Sequence, residues 1–186
     1  MGKLYLDPFL DMCNGEILSY SMTRTPSAEG ILAAQKRAIE ITADCPYRRT
    51  FHSDRCWAYQ MKAYSSALKE NKIYQSMSCK GNCYDNSVME NFFGIMKQEM
   101  YYGNTFYSFD ELKETIEKYI KYYNEKRIKE KLGWMSPVQY QLSIEIAQQL
   151  FLLRYLLSLS FWGQGKMYLQ QEFFCDCWEY YCLNGK

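Results

Sequence analysis

Residues 49–77 constrain the fold more than any other stretch of this chain. A short apolar run, 49–53, ends at Asp54, a helix is predicted over 58–71, and KIYQSM, 72–77, reads as a second strand. Two strands joined through a helix normally pair in parallel, which points to an α/β fold.

The preceding residues supply a hairpin. KLYLDPFLDM, 3–12, reads as a strand interrupted by Pro8, which places it at an edge or a bulge. Asn14-Gly15 is a strong hairpin signal, and EILSYSMT, 16–23, is the returning strand. Pro26-Ser27 opens a helix to about residue 43, with Ile31, Leu32, Ala38 and Ile39 on its apolar stripe. After a polar loop, 78–86, a helix over 86–100 buries Val88, Met89, Phe92, Phe93, Met96 and Met100. Ser108 and Glu111 form a capping box for a helix running to about 131, whose apolar positions are Leu112, Ile116, Tyr119, Ile120 and Tyr123. Glu114–Lys118 and Glu117–Lys121 are expected to pair along it. LGWMSPVQY, 132–140, reads as a turn with a proline and a final anchor.

From about residue 142 the character changes. LFLLRYLLSLSFW, 150–162, is very apolar, but Arg154 interrupts it and it is too short for a membrane span. The aromatic-rich remainder shows neither period. The expected organisation is a core over 1–141 and a distinct tail over 142–186, helical and then irregular. With 48% hydrophobic residues the chain can bury a sizeable core, and a net charge of +1 gives no global argument for a nucleic-acid partner. No secretory signal opens the sequence, so its eight cysteines read as reduced thiols and the expected location is the cytoplasm. A structural zinc site on Cys45, His52 and Cys56, or on Cys79 and Cys83, is the alternative. It lacks tight cysteine pairs and a second histidine.

The candidate chemistry lies in Asp54 and Glu90, with 35 residues between them. The strand–helix–strand–loop–helix order brings a strand end and a helix side together. Lys97 follows Glu90 by seven residues, two helical turns, on the same non-apolar face. Each has a structural alternative. Asp54 could cap the next helix, Ser87 and Glu90 fit a capping box, and Lys97 alone is a solvated lysine. Tyr119, Tyr122 and Tyr123 suit core and rim better than base stacking.

HSDRCWAY, MSCKGNCYDNSVMENFFGIMKQE and YIKYYNEKRIKEKLGWMSPVQY resemble the integrase-type DDE transposases of bacterial insertion sequences. The likeness covers about residues 2–141. It implies a ribonuclease-H-like integrase core that cleaves and joins DNA at insertion-sequence ends and targets, using Mg²⁺ or Mn²⁺. By the match, Asp54 is the second acid, Glu90 the third and Lys97 the basic residue; Lys80 and Arg55 join Lys97 as expected DNA contacts. His52 is expected to order the loop. Two-metal phosphoryl chemistry needs few hard carboxylates and leaves positions for water and phosphate.

The resemblance also implies a gap. The family's first acid lies on a strand before the hairpin, a strand missing here, and Asp7 and Asp11 fall outside the matching position. That strand is expected to be central, between the hairpin's second strand and the strand ending at Asp54. The sheet would then close the gap, expose two edges or borrow a strand. Cys56 replaces a usual glycine and Cys79 a usual basic residue. The tail has no counterpart, and the family's helix-turn-helix portion is absent. A two-metal site without its shared carboxylate implies weak or no catalysis. The alternative is a non-catalytic remnant that binds DNA, or that associates with itself or an intact transposase, away from any membrane.

Overall fold

The computed structural model describes residues 3–78 and 87–160, with side chains to Arg154. Its contacts divide the chain between Ile144 and Glu145 into two compact units. The first holds two small sheets. Strands β1 (Tyr5–Leu10) and β2 (Ile17–Thr23) pair antiparallel; β3 (Thr50–Ser53) and β4 (Tyr74–Met77) pair in parallel, as the crossover requires.

Small residues set the packing of helix α1 (Ala28–Ile41) on β2. Ser27 caps the helix by accepting from the Gly30 amide at 3.3 Å. A Cβ on Gly30 would lie 3.0 Å from Thr23 Cγ2, and Ser19 Oγ donates to the Ala34 carbonyl at 2.7 Å. The hairpin turn is wider than Asn14-Gly15 alone implies. Asp11 N–H donates to the Glu16 carbonyl, and Gly15 N–H to the Asp11 carbonyl, at 2.8 and 2.7 Å. The loop is therefore Met12–Gly15, and only Gly15 takes a positive φ, +72°. A type I′ turn would need both residues left-handed. Asn14 is instead buried and used by its side chain, which accepts from Glu16 N–H at 2.9 Å and donates to the Pro137 carbonyl at 3.3 Å.

The predicted helix over 58–71 is two elements, a 3₁₀ turn Trp57–Gln60 and α2 (Lys62–Glu70), broken at Met61 in an extended conformation. Helix α3 (Ser87–Met96) ends in a π turn, Lys97–Tyr101. Val88 was expected on the buried face but is exposed, while Phe92, Met96 and Met100 are buried. Helix α4 (Phe109–Glu125) starts at Ser108, whose Oγ accepts from Glu111 N–H at 3.0 Å. It stops short of 131 because Lys126, Arg127 and Glu130 succeed Tyr123 on the stripe and leave nothing apolar to bury. Glu114 pairs with Lys118 at 2.7 Å, but Glu117 turns back to Lys113 at 3.8 Å rather than forward to Lys121.

Within 132–140 lies a helix start that the turn reading missed. Ser136 Oγ accepts from Gln139 N–H, and Gln139 Oε1 accepts from Ser136 N–H, at 3.3 and 3.0 Å. This reciprocal box, with Pro137 at the first helical position, opens α5 (Pro137–Ser160). No helix among the described residues is long and apolar enough to cross a membrane. Beyond Ser160 the tail lies outside the described residues.

Two apolar clusters flank the sheets. One joins α1, α2 and β3 through Ile31, Ile39, Tyr64, Leu68 and Ile73, with Phe9 and Phe51 against it. The other joins β2, α3 and α4 through Ile17, Phe92, Met96, Ile116, Ile120 and Tyr123, with Leu6 and Leu10 against it. A bulge between Phe9 and Leu10 in the β1–β2 register lets Ile17 face this second cluster while Ser19 faces α1.

Among the described residues no ladder joins the two sheets. Between them runs a groove of about 510 Å³ walled by residues 6–12 and 49–54. It is therefore the hairpin's first strand, β1, that faces β3. The expectation that its second strand borders the gap is corrected by this placement; β2 lies on the far side, where Asn124 Oδ1 and Nδ2 grip the Ile17 amide and carbonyl at 3.0 and 2.9 Å.

Candidate metal and DNA site

Asp54 emerges where β3 ends. Its Oδ1 accepts from Cys56 N–H at 2.8 Å, an Asx turn just ahead of the 3₁₀ turn; the cap positions that follow are Cys56 and Met61, so Asp54 is not a helix cap. The carboxylate is exposed and keeps Oδ2 without a hydrogen-bond partner among the described residues. The turn and ligation are thus compatible in one side chain. His52 fixes the strand end: its Nδ1 is hydrogen-bonded to Ser76 Oγ at 2.9 Å and its Nε2 to Ser78 Oγ at 3.2 Å. Both ring nitrogens are committed to the side of β4. Arg55 Nε donates to the Ser78 carbonyl at 3.0 Å, tying the same two strand ends together.

Glu90 sits in the first turn of α3, exposed, and lines the same groove as Asp54. Phe92 and Met96, buried behind it, hold the helix in place. The structure brings Asp54 and Glu90 to one groove; Lys97 and Arg55 are exposed outside its lining. Lys80, with Cys79 and Cys83, lies outside the described residues. Among the described residues no three histidines, cysteines or acids lie close enough to share a metal ion.

Two more acids reach the groove. Asp11 Oδ1 accepts from Cys13 N–H at 2.8 Å and serves the hairpin loop. Asp7 is half-buried; desolvation raises its pKa, partly offset by Ser21 Oγ, which donates to Oδ2 at 3.3 Å. Asp7 and Asp54 both lie near enough to Tyr59 to add to the effect of burial, which pushes that phenol up to about 12.

Several residues that support the site carried no sequence signal. Glu99, on the π turn, accepts from Tyr119 Oη at 2.9 Å and from Arg127 Nε at 2.9 Å, clamping α3 to α4. Lys129 Nζ donates to the Asn14 and Gly15 carbonyls at 3.3 and 3.1 Å and lies 4.4 Å from the Tyr123 ring centroid. Their spacing in sequence, more than 100 residues for the Lys129 and Asn124 contacts, hides them from any periodicity.

Burial, reinforced by Arg127, lowers the Lys129 pKa to about 8. Above that value the unfolded chain binds more protons at this residue than the folded one, so stability rises as pH climbs toward 10.5. Tyr20, Tyr59, Tyr64, Tyr119 and Tyr123 act oppositely. Their folded pKa values are raised from 10, so the stability they carry is complete below pH 10 and lost above it. Denaturation from pH 7 to 11 should therefore show a shallow maximum near about pH 10. Lys129→Met should remove the rise and keep the fall.

Comparison with known proteins agrees with this architecture. Two models described as integrase core domain match residues 1–83 and 90–143. An uncharacterized transposase-like protein of Haemophilus influenzae is 48% identical over 140 residues, 75% of this chain and 64% of that protein. The putative transposase InsK for insertion sequence element IS150 of Escherichia coli is 41% identical over 140 residues, 75% of this chain and 49% of that protein. The chain thus spans from about half to just under two thirds of these relatives' own length. Among solved structures, the HTLV-2 integrase catalytic core domain in complex with magnesium matches with a TM-score of 0.53 at 14% identity, covering 75% of this chain and 92% of that one. The catalytic core of BIV integrase matches at 0.52 and 14%, covering 78% and 97%. The fold is the ribonuclease-H-like fold of these integrase cores, and residues 1–83 and 90–143 belong to the integrase core domain family, the part over which the chain is similar to insertion-sequence transposases.

Proposed function

We propose that this chain is the core portion of an insertion-sequence transposase that acts on DNA, with Asp54 and Glu90 as its metal-holding carboxylates. The observation that carries the proposal is their convergence on one groove from a strand end and a helix side. The donor set fits a hard divalent cation such as Mg²⁺ or Mn²⁺. Both carboxylates are exposed, and such ions are commonly held by one or two carboxylates with water and phosphate completing the shell. A bound cation would neutralise phosphate charge and activate an attacking oxygen. The protein's own part is orientation: Cys56 N–H aims Asp54, and the buried face of α3 aims Glu90.

Lys97, Lys80 and Arg55 would hold the DNA backbone as fixed charges, positioning it without reading sequence. Among the described residues no third acid lies close enough to share a metal ion with Asp54 and Glu90, and weak strand transfer is the expected behaviour of this polypeptide alone. Association with DNA and with further copies or an intact transposase belongs to the same proposal. The test is a thermal melt with Mn²⁺. At about ten times the dissociation constant the midpoint should rise by about 3–6 °C in the parent chain and stay unmoved in Asp54→Asn. An equal rise in both would remove Asp54 from the ligand set.

A further inference from the structure

We propose that Asn14–Gly15 is a self-modification site that the fold holds shut: once out of its clasp, the pair cyclises with loss of ammonia, and the product can no longer fasten the hairpin to the corner between α4 and α5. The proposal stands apart from the metal and DNA reading and needs only water and a base.

The chemistry is written in the dipeptide. Gly15 has no Cβ, so its backbone nitrogen is unshielded. After a base takes the proton of that nitrogen, the nitrogen attacks Cγ of Asn14. The N–Cγ bond forms, the Cγ–Nδ2 bond breaks, and Nδ2 takes up a proton and departs as ammonia. Water then opens the five-membered succinimide. Attack at Cγ leaves an aspartate at position 14; attack at the backbone carbonyl leaves an isoaspartate, with the chain routed through the former side chain.

The fold restrains both reacting atoms. Gly15 N–H, the proton that has to leave, donates to the Asp11 carbonyl at 2.7 Å. Asn14 Nδ2, the leaving group, donates to the Pro137 carbonyl and to Glu16 Oε2 at 3.3 Å each. Asn14 Oδ1 accepts from Glu16 N–H at 2.9 Å. Lys129 Nζ closes the clasp on the Asn14 and Gly15 carbonyls, and a Cβ on Gly15 would lie 2.5 Å from it. Asn14 is 2% exposed, so base and water are kept out. Cyclisation therefore waits on a local opening of Met12–Gly15, which takes less free energy than unfolding the chain.

A carboxylate at position 14 cannot refasten. It has no N–H for Pro137, and its oxygen would stand against the Pro137 carbonyl and the Glu16 carboxylate. Isoaspartate adds a backbone carbon to a loop whose ends are set by the 2.8 Å bond from Asp11 N–H to the Glu16 carbonyl. Ammonia is lost to solvent, so the step runs one way. Residues 6–12 of the hairpin wall the groove that Asp54 and Glu90 reach, and a loosened loop bears on that wall.

The experiment is peptide mapping by mass spectrometry on the full chain, incubated at mildly alkaline pH in native buffer and in guanidinium chloride. Asn184–Gly185, the second such pair in the sequence, lies outside the described residues and calibrates the chemistry in denaturant. In denaturant Asn14 should convert at a rate similar to Asn184; in native buffer it should convert about tenfold more slowly, or slower still. Lys129→Met takes one bolt from the clasp. It should speed the native reaction roughly threefold or more and leave the denatured rate alone, with α1 amides still protected from hydrogen exchange. Asn14→Asp, the product made directly, should lower the melting midpoint and speed exchange of the Gly15 amide. If Lys129→Met does not fold, the parent's native-to-denatured ratio and Asn14→Asp carry the decision. Equal native and denatured rates, an unchanged native rate in folded Lys129→Met, or an Asn14→Asp chain that melts like the parent would overturn the proposal.

Discussion

Phe92→Ala should destabilise the chain by about 3–5 kcal/mol, measured by urea denaturation. Phe92 is 1% exposed and its ring meets Tyr123 and Phe93 edge-on, with centroids 5.1 and 5.4 Å away. It is the central contact by which α3 sits on α4. The alanine leaves a cavity that Met89 and Met96, flexible as they are, can fill only in part. A second consequence separates this site from an ordinary core position. Glu90 lies two residues away on the opposite side of the same turn, so a loosened helix should blunt the Mn²⁺ shift even under conditions where the variant is folded. Phe92→Leu, which restores most of the volume, should recover both readouts together. A metal response unchanged in folded Phe92→Ala would mean that α3 does not aim Glu90.

Asn124→Leu should cost about 2–4 kcal/mol, because it strands two backbone groups at once. The Asn124 amide satisfies both the N–H and the C=O of Ile17, at the point where β2 would otherwise present an unpaired edge. Leucine matches its size and removes both bonds, so the loss reports hydrogen bonding rather than volume. Asn124→Asp can still accept from the Ile17 amide but not donate to its carbonyl, and should fall between parent and leucine. Hydrogen exchange at Ile17 would localise the effect: faster exchange there, with α1 amides protected, is the expected pattern.

Local chemistry was legible in the sequence where one segment decides it. The crossover over 49–77 announced its parallel pair, Ser27 and Ser108 announced their helix starts, and the stripe of α4 named its buried tyrosines correctly. Asp54 and Glu90 were identifiable because a resemblance fixes their spacing, not because either residue is distinctive by itself. What escaped was set by partners distant in sequence. Asn14 looked like a turn residue, whereas it is buried against the first residue of α5. Ser136 is the exception, because Ser-Pro-x-Gln has the form of a capping box and the sequence itself carries the helix start. Which strand borders the groove could not be read from residue order, because order does not say on which side of a hairpin the sheet continues.

The π turn at Lys97–Tyr101 has a consequence for how this region tolerates change. Tyr102 N–H reaches back five residues to the Lys97 carbonyl at 2.8 Å, so this stretch is wound more widely than the helix before it. Glu90 and Lys97 keep the angular setting of α3, while Glu99 is rotated onto Tyr119 and Arg127. One continuous segment thereby carries two phases. A single-residue deletion between Lys97 and Glu99 would unify them, turning Glu99 off α4 while leaving Glu90 where it is. Substitutions on the two sides still answer to one core, since Phe92 and Met96 before that point and Met100 beyond it share a single apolar cluster.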